Sequence, residues 1–295
     1  MIVILGPTAT GKTKVAAKVA EIIDGEIISA DSRQVFRNMD LGTGKDLDEY
    51  VTSDGRPIPY HLVDIADAGE EFNLFQFQKE FYKAYEDIIL REKTPILCGG
   101  TGLYLESIIK PYPFVEVPEN KELRDKFKNK TLEEIVDYLS TLRELHNKSD
   151  TTDRERAIRA AEIALYNKEN SDKIKAPKAL PMKVYGLDYP RNEVRARITK
   201  RLNERLKLGM IEEVEKLVEM GVSHKQLQLY GLEYKHISLY LLDELKFDEM
   251  RNLLNIAIHQ FAKRQMTWFR RMERQGMKIN WLKPDQIVED ILRNR

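Results

Sequence analysis

The chain has 295 residues, 42% hydrophobic and 33% charged, with 48 Lys/Arg balanced by 48 Asp/Glu. That leaves room for one large domain or a core with an insertion, and nothing in it approaches the ~18 apolar residues of a membrane span. The single cysteine, Cys98, excludes an internal disulfide and a cysteine-cluster zinc site. The zero net charge hides an asymmetry: residues 1–110 hold 12 Lys/Arg against 18 Asp/Glu, and the remainder 36 against 30.

The first predicted strand is Ile2–Leu5, four apolar residues, too few for the core of a signal peptide. The chain therefore reads as cytoplasmic. Gly6, Pro7, Thr8, Ala9, Thr10, Gly11, Lys12 and Thr13 follow, the pattern G-x-x-x-x-G-K-[ST], with a helix expected over Lys12–Ile23. Such a loop turns backbone N–H groups inward around a di- or triphosphate. Lys12 reaches the outer phosphate, and the Thr13 hydroxyl is placed to ligate Mg²⁺. The helix that starts there adds the positive end of its dipole.

A second strand over residues 26–30 ends at Asp31, and a third is expected over residues 61–64, ending at Asp64. A helix follows over about residues 74–91, then a strand over 95–98 that ends in Gly99, Gly100, Thr101 and Gly102, then a helix over 103–109. Short apolar strands alternating with helices predict a parallel α/β sheet of the P-loop NTPase type, helices on both faces. In such sheets the functional groups lie at the carboxyl ends of strands. The phosphate loop, Asp31, Asp64 and the Gly99–Gly102 turn all hold that position.

Pro111, Pro113 and Pro118 interrupt the alternation. Charged helical stretches over about 119–129 and 131–145 read as an inserted helical module at about 114–150. The core would then comprise 1–113 and about 151–295, with a helical C-terminal region. Asp153 is the expected N-cap of a helix reaching about residue 167. Residues 182–189 read as the last strand, and the segment after Pro190 as mainly helical.

Two basic clusters stand out. Residues 173–207 carry 11 basic and 3 acidic side chains, and Lys263, Arg264, Arg270, Arg271 and Arg274 are interleaved with Trp268 and Phe269. Basic side chains with aromatics suit a polyanion such as RNA, and equally form an ordinary solvated helix face.

Two strand-end residues carry candidate chemistry. A carboxylate at Asp31 takes a proton from an incoming nucleophile or orients it, unless it serves only as a turn former. The Thr101 hydroxyl can bond a reacting oxygen, or cap the helix that follows. The strand over 95–98 ends in glycines where a phosphoryl-transferring enzyme needs a metal-organising Asp, and no Arg-rich lid is evident. The loop is thus suited to hold a diphosphate without hydrolysing a nucleotide.

Six ordered segments, GPTATGKT at 6–13, DSRQ at 31–34 with MDLGTGK at 39–45, HLVD at 61–64, GGTGLY at 99–104, DRERAIRA at 153–160 and AKRQMTWFR at 262–270, make the chain similar to the tRNA dimethylallyltransferases, also called tRNA isopentenyltransferases. The resemblance implies transfer of a dimethylallyl group from dimethylallyl diphosphate to N6 of an adenine beside the anticodon. It implies that the loop at 6–13 holds the diphosphate with Mg²⁺ at Thr13, that Lys12 and Thr101 serve the reacting centre, and that Asp31 is the general base. Ser32, Arg33 and Gln34 would contact nucleotides. Thr101, Arg124, Glu155, Arg156, Ala157, Ile158 and Arg159 match tRNA-contacting positions, and Arg197 or Arg201 would hold the diphosphate. The implied partner is the tRNA anticodon stem-loop, bound by a monomer with no membrane involved. The chain departs from the family pattern at Tyr60, at Glu155 and over residues 230–234, and lacks the C-terminal zinc finger of some eukaryotic members. The rival readings are an isopentenyltransferase acting on free adenine nucleotides, a P-loop small-molecule kinase and a non-catalytic RNA-binding module.

Overall fold

A computed structural model describes residues 1–111, 115–145, 151–172, 177–284 and 287–293. The expected breaker Pro113, part of the basic stretch at 173–176 and the expected insertion boundary near 150 lie outside these residues. The described chain divides into two compact units, Met1–Lys110 with Ala179–Arg295, and Pro111–Lys178.

The first unit is built on a six-stranded sheet: β1 (Ile2–Leu5), β2 (Gly25–Ala30), β3 (Tyr60–His61), β4 (Thr94–Gly99), β5 (Lys183–Leu187) and β6 (Asn280–Leu282). Their order is β3-β2-β4-β1-β5-β6, and every pair is parallel. β1, β2 and β4 are buried nearly throughout, as expected of parallel strands covered on both faces. The alternation within β1 divides the core: Ile2 and Ile4 pack under α1 (Lys12–Ile23) with Ile27, Ile96 and Ala16. Val3 and Leu5 pack on the other face with Ile28, Leu97 and Phe77. Phe77 belongs to α2 (Leu74–Leu90), which starts at a reciprocal cap between Asn73 and Gln76. α3 (Gly102–Ile109) closes that face.

The register sets the site. Leu5 pairs with Gly99, and Gly99 with Ala30. Three strands therefore end level, and the segments leaving them begin with Gly6, Gly100 and Asp31 at one edge of the sheet.

Two expected strands differ. The third is Tyr60–His61, shorter than 61–64, because Leu62 and Asp64 adopt left-handed φ values of 63° and 55° that no strand accommodates. The strand at 183–187 is also not the last. β6 pairs beside it at Tyr185, Gly186 and Leu187, and the mainly helical reading of the C-terminal segment missed it because three residues give too short a period.

The second unit holds α4 (Lys121–Phe127), α5 (Leu132–Leu142) and α6 (Arg154–Glu169) around Leu123, Phe127, Ile135, Leu139 and Ala161. It runs further than the expected 114–150 because the Ala-rich face of α6 completes this small core. Asp153 caps α6 as expected, accepting from the Arg156 N–H at 2.9 Å. The remaining helices belong to the first unit: α7 (Arg191–Lys207), α8 (Met210–Glu219), α9 (His224–Leu227), α10 (Leu232–Leu241), the 28-residue α11 (Phe247–Arg274) and α12 (Ile287–Arg293). α7, α8, α10 and α11 enclose a further core with Val35, Phe36 and Met39. Among the described residues no helix is long and apolar enough to cross a membrane.

The loop after β2 is fastened by ions. Lys45, 1% exposed, donates to the Phe36 carbonyl at 2.9 Å, to Asp40 at 2.6 Å and to Asp64 at 2.5 Å. Removing one partner of a buried pair strands the others. Lys45→Met is expected to lower stability by about 3 kcal/mol, the low end for broken buried pairs because both carboxylates keep some contact with water. Urea unfolding monitored by circular dichroism measures it, and a loss below about 1 kcal/mol contradicts the fastening.

Candidate functional site

The level strand ends open into a cleft of ≈ 840 Å³ in the first unit. The phosphate loop forms one wall. Ala9 and Gly11 take left-handed φ values of 63° and 71°, which wind the loop tightly enough to start α1 at Lys12. Thr8, Ala9, Gly11, Lys12 and Thr13 line the cleft. Gly6, Pro7 and Thr10 are buried behind them, with the Thr10 hydroxyl donating to the Pro7 carbonyl at 2.8 Å.

Lys12 also donates to the Pro7 carbonyl, at 2.8 Å. Burial and the neighbouring Arg201 lower its pKa to about 8, against the pull of Cys98 and Asp31. Arg201 stands over the same loop and donates to the Thr8 hydroxyl. Burial and the nearby Arg205 bring its pKa down to about 10, so it remains charged at neutral pH. Arg197, Arg201 and Arg205 fall four residues apart on α7 and all line the cleft. Arg197 stacks over Tyr189 with its guanidinium 4.4 Å from the ring centre and pairs with Glu193. Arg205 grips both oxygens of Asp46 at 2.8 Å. The i+4 spacing in RARITKRLNER is a usable signal for Arg205, although only Arg197 and Arg201 match the family pattern. Eight basic and six acidic side chains line the cleft, so an anion meets a net positive wall.

The opposite wall carries the motif after β2. Asp31 Oδ1 accepts from the Arg33 N–H at 2.9 Å and the Gln34 N–H at 3.4 Å. One carboxylate oxygen thus forms the turn, and Oδ2 makes no hydrogen bond to a described residue. Thr101 does not cap α3: its hydroxyl accepts the Ser32 N–H at 3.0 Å and donates to the Ser32 hydroxyl at 3.4 Å. Gln34 is held at both ends of its amide, by Ser29 at 3.1 Å and the Gly44 carbonyl at 3.0 Å. Ser32, Arg33, Gln34 and Thr101 all reach the cleft. Asp64 does not: the left-handed turn after β3 swings it onto Lys45, which corrects its placement among the cleft groups.

Three cleft features were not singled out in the sequence. Glu233 lines the cleft at the start of α10, and burial raises its pKa despite Arg201 and Arg205 nearby. Glu49 is raised likewise, by burial and then Asp46. Gln265 lies 7% exposed on α11, in a stripe with Ile258, Ala262, Phe269 and Met272. A lone polar residue in such a stripe was the available signal.

The interleaved aromatics do not serve as a stacking surface. Phe269 is fully buried in the sheet core, and Trp268 lies against Gly102, where a Cβ would come within 2.4 Å of the indole. Arg271 stacks over Trp268 at 4.0 Å and pairs with Glu106 at 2.5 Å. Lys263, Arg264, Arg270 and Arg274 remain exposed.

The remaining candidates lie in the second unit. Arg124 donates to the buried Glu162 at 2.7 Å, and Arg159 pairs with the same carboxylate at 3.0 Å. Burial opposes the charge on Glu162, but these bonds outweigh it and lower the pKa. Glu155 and Arg156 are exposed. Ala157 and Ile158 are buried among Leu123, Phe127 and Ile135, so their side chains are spent on packing and not on a surface contact.

The residues present fit a magnesium ion only in one way. Among the described residues no group of three His, Cys, Asp or Glu gathers to hold a metal. The Thr13 hydroxyl does line the cleft beside Lys12, and Mg²⁺ needs only one or two protein oxygens when phosphates and waters complete its shell.

The family model described as IPP transferase matches residues 34–272, and one described as isopentenyl transferase matches residues 1–64. A Phocaeicola vulgatus protein named tRNA dimethylallyltransferase 2 is 52% identical over 290 residues, covering 98% of this chain and 94% of its own. A Parabacteroides distasonis protein named tRNA dimethylallyltransferase 1 is 50% identical over 282 residues, 96% and 92% of the two chains. Among solved structures, the full-length tRNA isopentenylpyrophosphate transferase of Bacillus halodurans aligns with TM-score 0.70 at 29% identity over 99% of this chain and 94% of its own. A eukaryotic dimethylallyltransferase acting on tRNA shares the fold, with TM-score 0.76 at 21% identity over 100% and 80%.

Lys12 supplies a pH test. It is protonated below about 8 in the free protein and neutral above, so inorganic diphosphate should lose affinity as pH rises from 7 to 9. Calorimetric titration measures this, and Lys12→Met should remove that loss. The same decline in both proteins would assign it to another group.

Proposed function

Because this chain belongs to the IPP transferase family, whose relatives are named tRNA dimethylallyltransferases, we propose that its cleft moves a dimethylallyl group from dimethylallyl diphosphate onto N6 of an adenine beside the tRNA anticodon. It is a prenyl-transferring enzyme of tRNA modification. The observation that carries the finer reading is the pairing of a complete phosphate loop with a carboxylate, and no second metal-organising acid, on level strand ends. β4 ends in Cys98 and Gly99 where a phosphoryl-transferring site needs an acid.

The chemistry follows from the two walls. The diphosphate of the donor lies on the loop amides, Lys12 and the Arg201 side. The allyl tail runs toward the strand ends, with Ile258 and Phe261 of α11 as an apolar flank. The adenine, turned out of its loop stack, presents N6 to Asp31. The N6 lone pair forms a bond to C1 of the allyl group, the C1–O bond breaks, and its electron pair leaves with diphosphate. Asp31 Oδ2 takes the N6 proton. The ammonium and guanidinium groups stabilise the charge that grows on the departing oxygen. Magnesium held through Thr13 and the diphosphate would supply further charge neutralisation when bound. The exposed basic residues of α11 track RNA phosphates, which makes binding salt-dependent. We place the enzyme in the cytoplasm as a monomer.

Labelled dimethylallyl diphosphate offered with tRNA or with AMP tests the assignment. Label is expected in tRNA; label in AMP alone points to an enzyme of free nucleotides, and nucleotide turnover without prenyl transfer to a kinase. Asp31→Ala should cut transfer by about 10³-fold, within the usual span for a lost general base. Its tRNA affinity, by filter binding, should stay within a few-fold of wild type. Near-normal turnover removes Asp31 from the chemistry.

A further inference from the structure

We infer that Gln265 is a positioning residue that locks the donor loop and the acceptor wall into one spacing; this rests on the prenyl-transfer reading above. Its amide joins the two walls directly. Oε1 accepts the Thr8 N–H of the phosphate loop at 2.8 Å, and Nε2 donates to the Gly100 carbonyl at the end of β4 at 2.8 Å. The side chain is 7% exposed, in the buried stripe of the longest helix, so both ends of a costly buried amide are matched.

The contacts continue on either side. Thr8 is also held through its hydroxyl by Arg201. Gly100 precedes Thr101, whose hydroxyl takes the Ser32 N–H next to Asp31. The donor grip and the base are thus ends of one path: Arg201, Thr8, Gln265, Gly100, Thr101, Ser32. Gly100 itself is shaped to the amide, since a Cβ there would come within 2.5 Å of Nε2. A leucine at 265 fills similar space without either bond and leaves the two loops free to drift apart. Displacement of reacting groups by about an ångström costs on the order of 100-fold in rate.

The test is steady-state prenylation of tRNA by wild type, Gln265→Leu and Gln265→Glu, with folding followed by thermal melting. Gln265→Leu should lose about 100-fold in kcat with KM for both substrates within about fivefold, the pattern of a lost reacting geometry. Gln265→Glu supplies the readout that a structural role does not move. Ionised, its carboxylate accepts from Thr8 but repels the Gly100 carbonyl; protonated, it donates there again. Burial raises such a carboxyl, so the ratio of its kcat to wild type should rise about tenfold from pH 8 to pH 6. A flat ratio overturns the inference, as does a folded Gln265→Leu enzyme within threefold of wild type. If Gln265→Leu does not fold, the Gln265→Glu profile decides alone. No prenylated tRNA from the wild-type chain overturns the reaction assignment itself, and this inference with it.

Discussion

The pairing of Leu5 with Gly99 and of Gly99 with Ala30 is the constraint on which the site depends. Parallel strands lie about 4.8 Å apart, and β4 separates β1 from β2. The phosphate loop and Asp31 are therefore set about 10 Å apart by backbone hydrogen bonding alone. That interval suits an extended substrate with an anion at one end and its reacting carbon displaced from it. A slip in this register would move the loop relative to Asp31 whatever side chains stood at either place.

Electrostatics decides what the interval is used for. Lys12 and Arg201 crowd one loop; burial above all, then Arg201 for Lys12 and Arg205 for Arg201, makes each hold its proton less firmly. A diphosphate relieves that crowding, and a leaving diphosphate, which gains charge as the C–O bond breaks, relieves it more. At the end of β4 stands a thiol, Cys98, whose pKa burial pushes up to about 12, so it contributes no charge. Of the six cleft acids, Glu49 and Glu233 are pushed toward their neutral forms by burial. Charge stabilisation is concentrated on the donor side, where a leaving group needs it.

Much of this was legible in the sequence because local rules and tertiary structure agree there. The phosphate loop is contiguous, and β1 and α1 on either side have the bounds expected from their apolar periodicity. The parallel sheet followed from the alternation of strands and helices. What escaped was non-local. Asp64 looked like a strand-end acid, but left-handed residues turn it onto Lys45. The second unit reaches Lys178 because α6 lends its alanine face to a core whose other helices lie earlier in the chain. Ala157 and Ile158 look accessible beside Arg156 and become buried for the same reason. Gln265 is 257 residues from the backbone N–H it binds, and no periodicity reports such a contact.

The central claim is that the loop releases a diphosphate and transfers no phosphoryl group. Dimethylallyl diphosphate carrying a heavy oxygen isotope only in the bridge between C1 and phosphorus tests it directly, with mass spectrometry of the products after one turnover on tRNA. Cleavage of the C1–O bond sends the heavy oxygen into inorganic diphosphate, which is the expected result. Heavy oxygen remaining on carbon would mean that a P–O bond had broken, and would contradict the account.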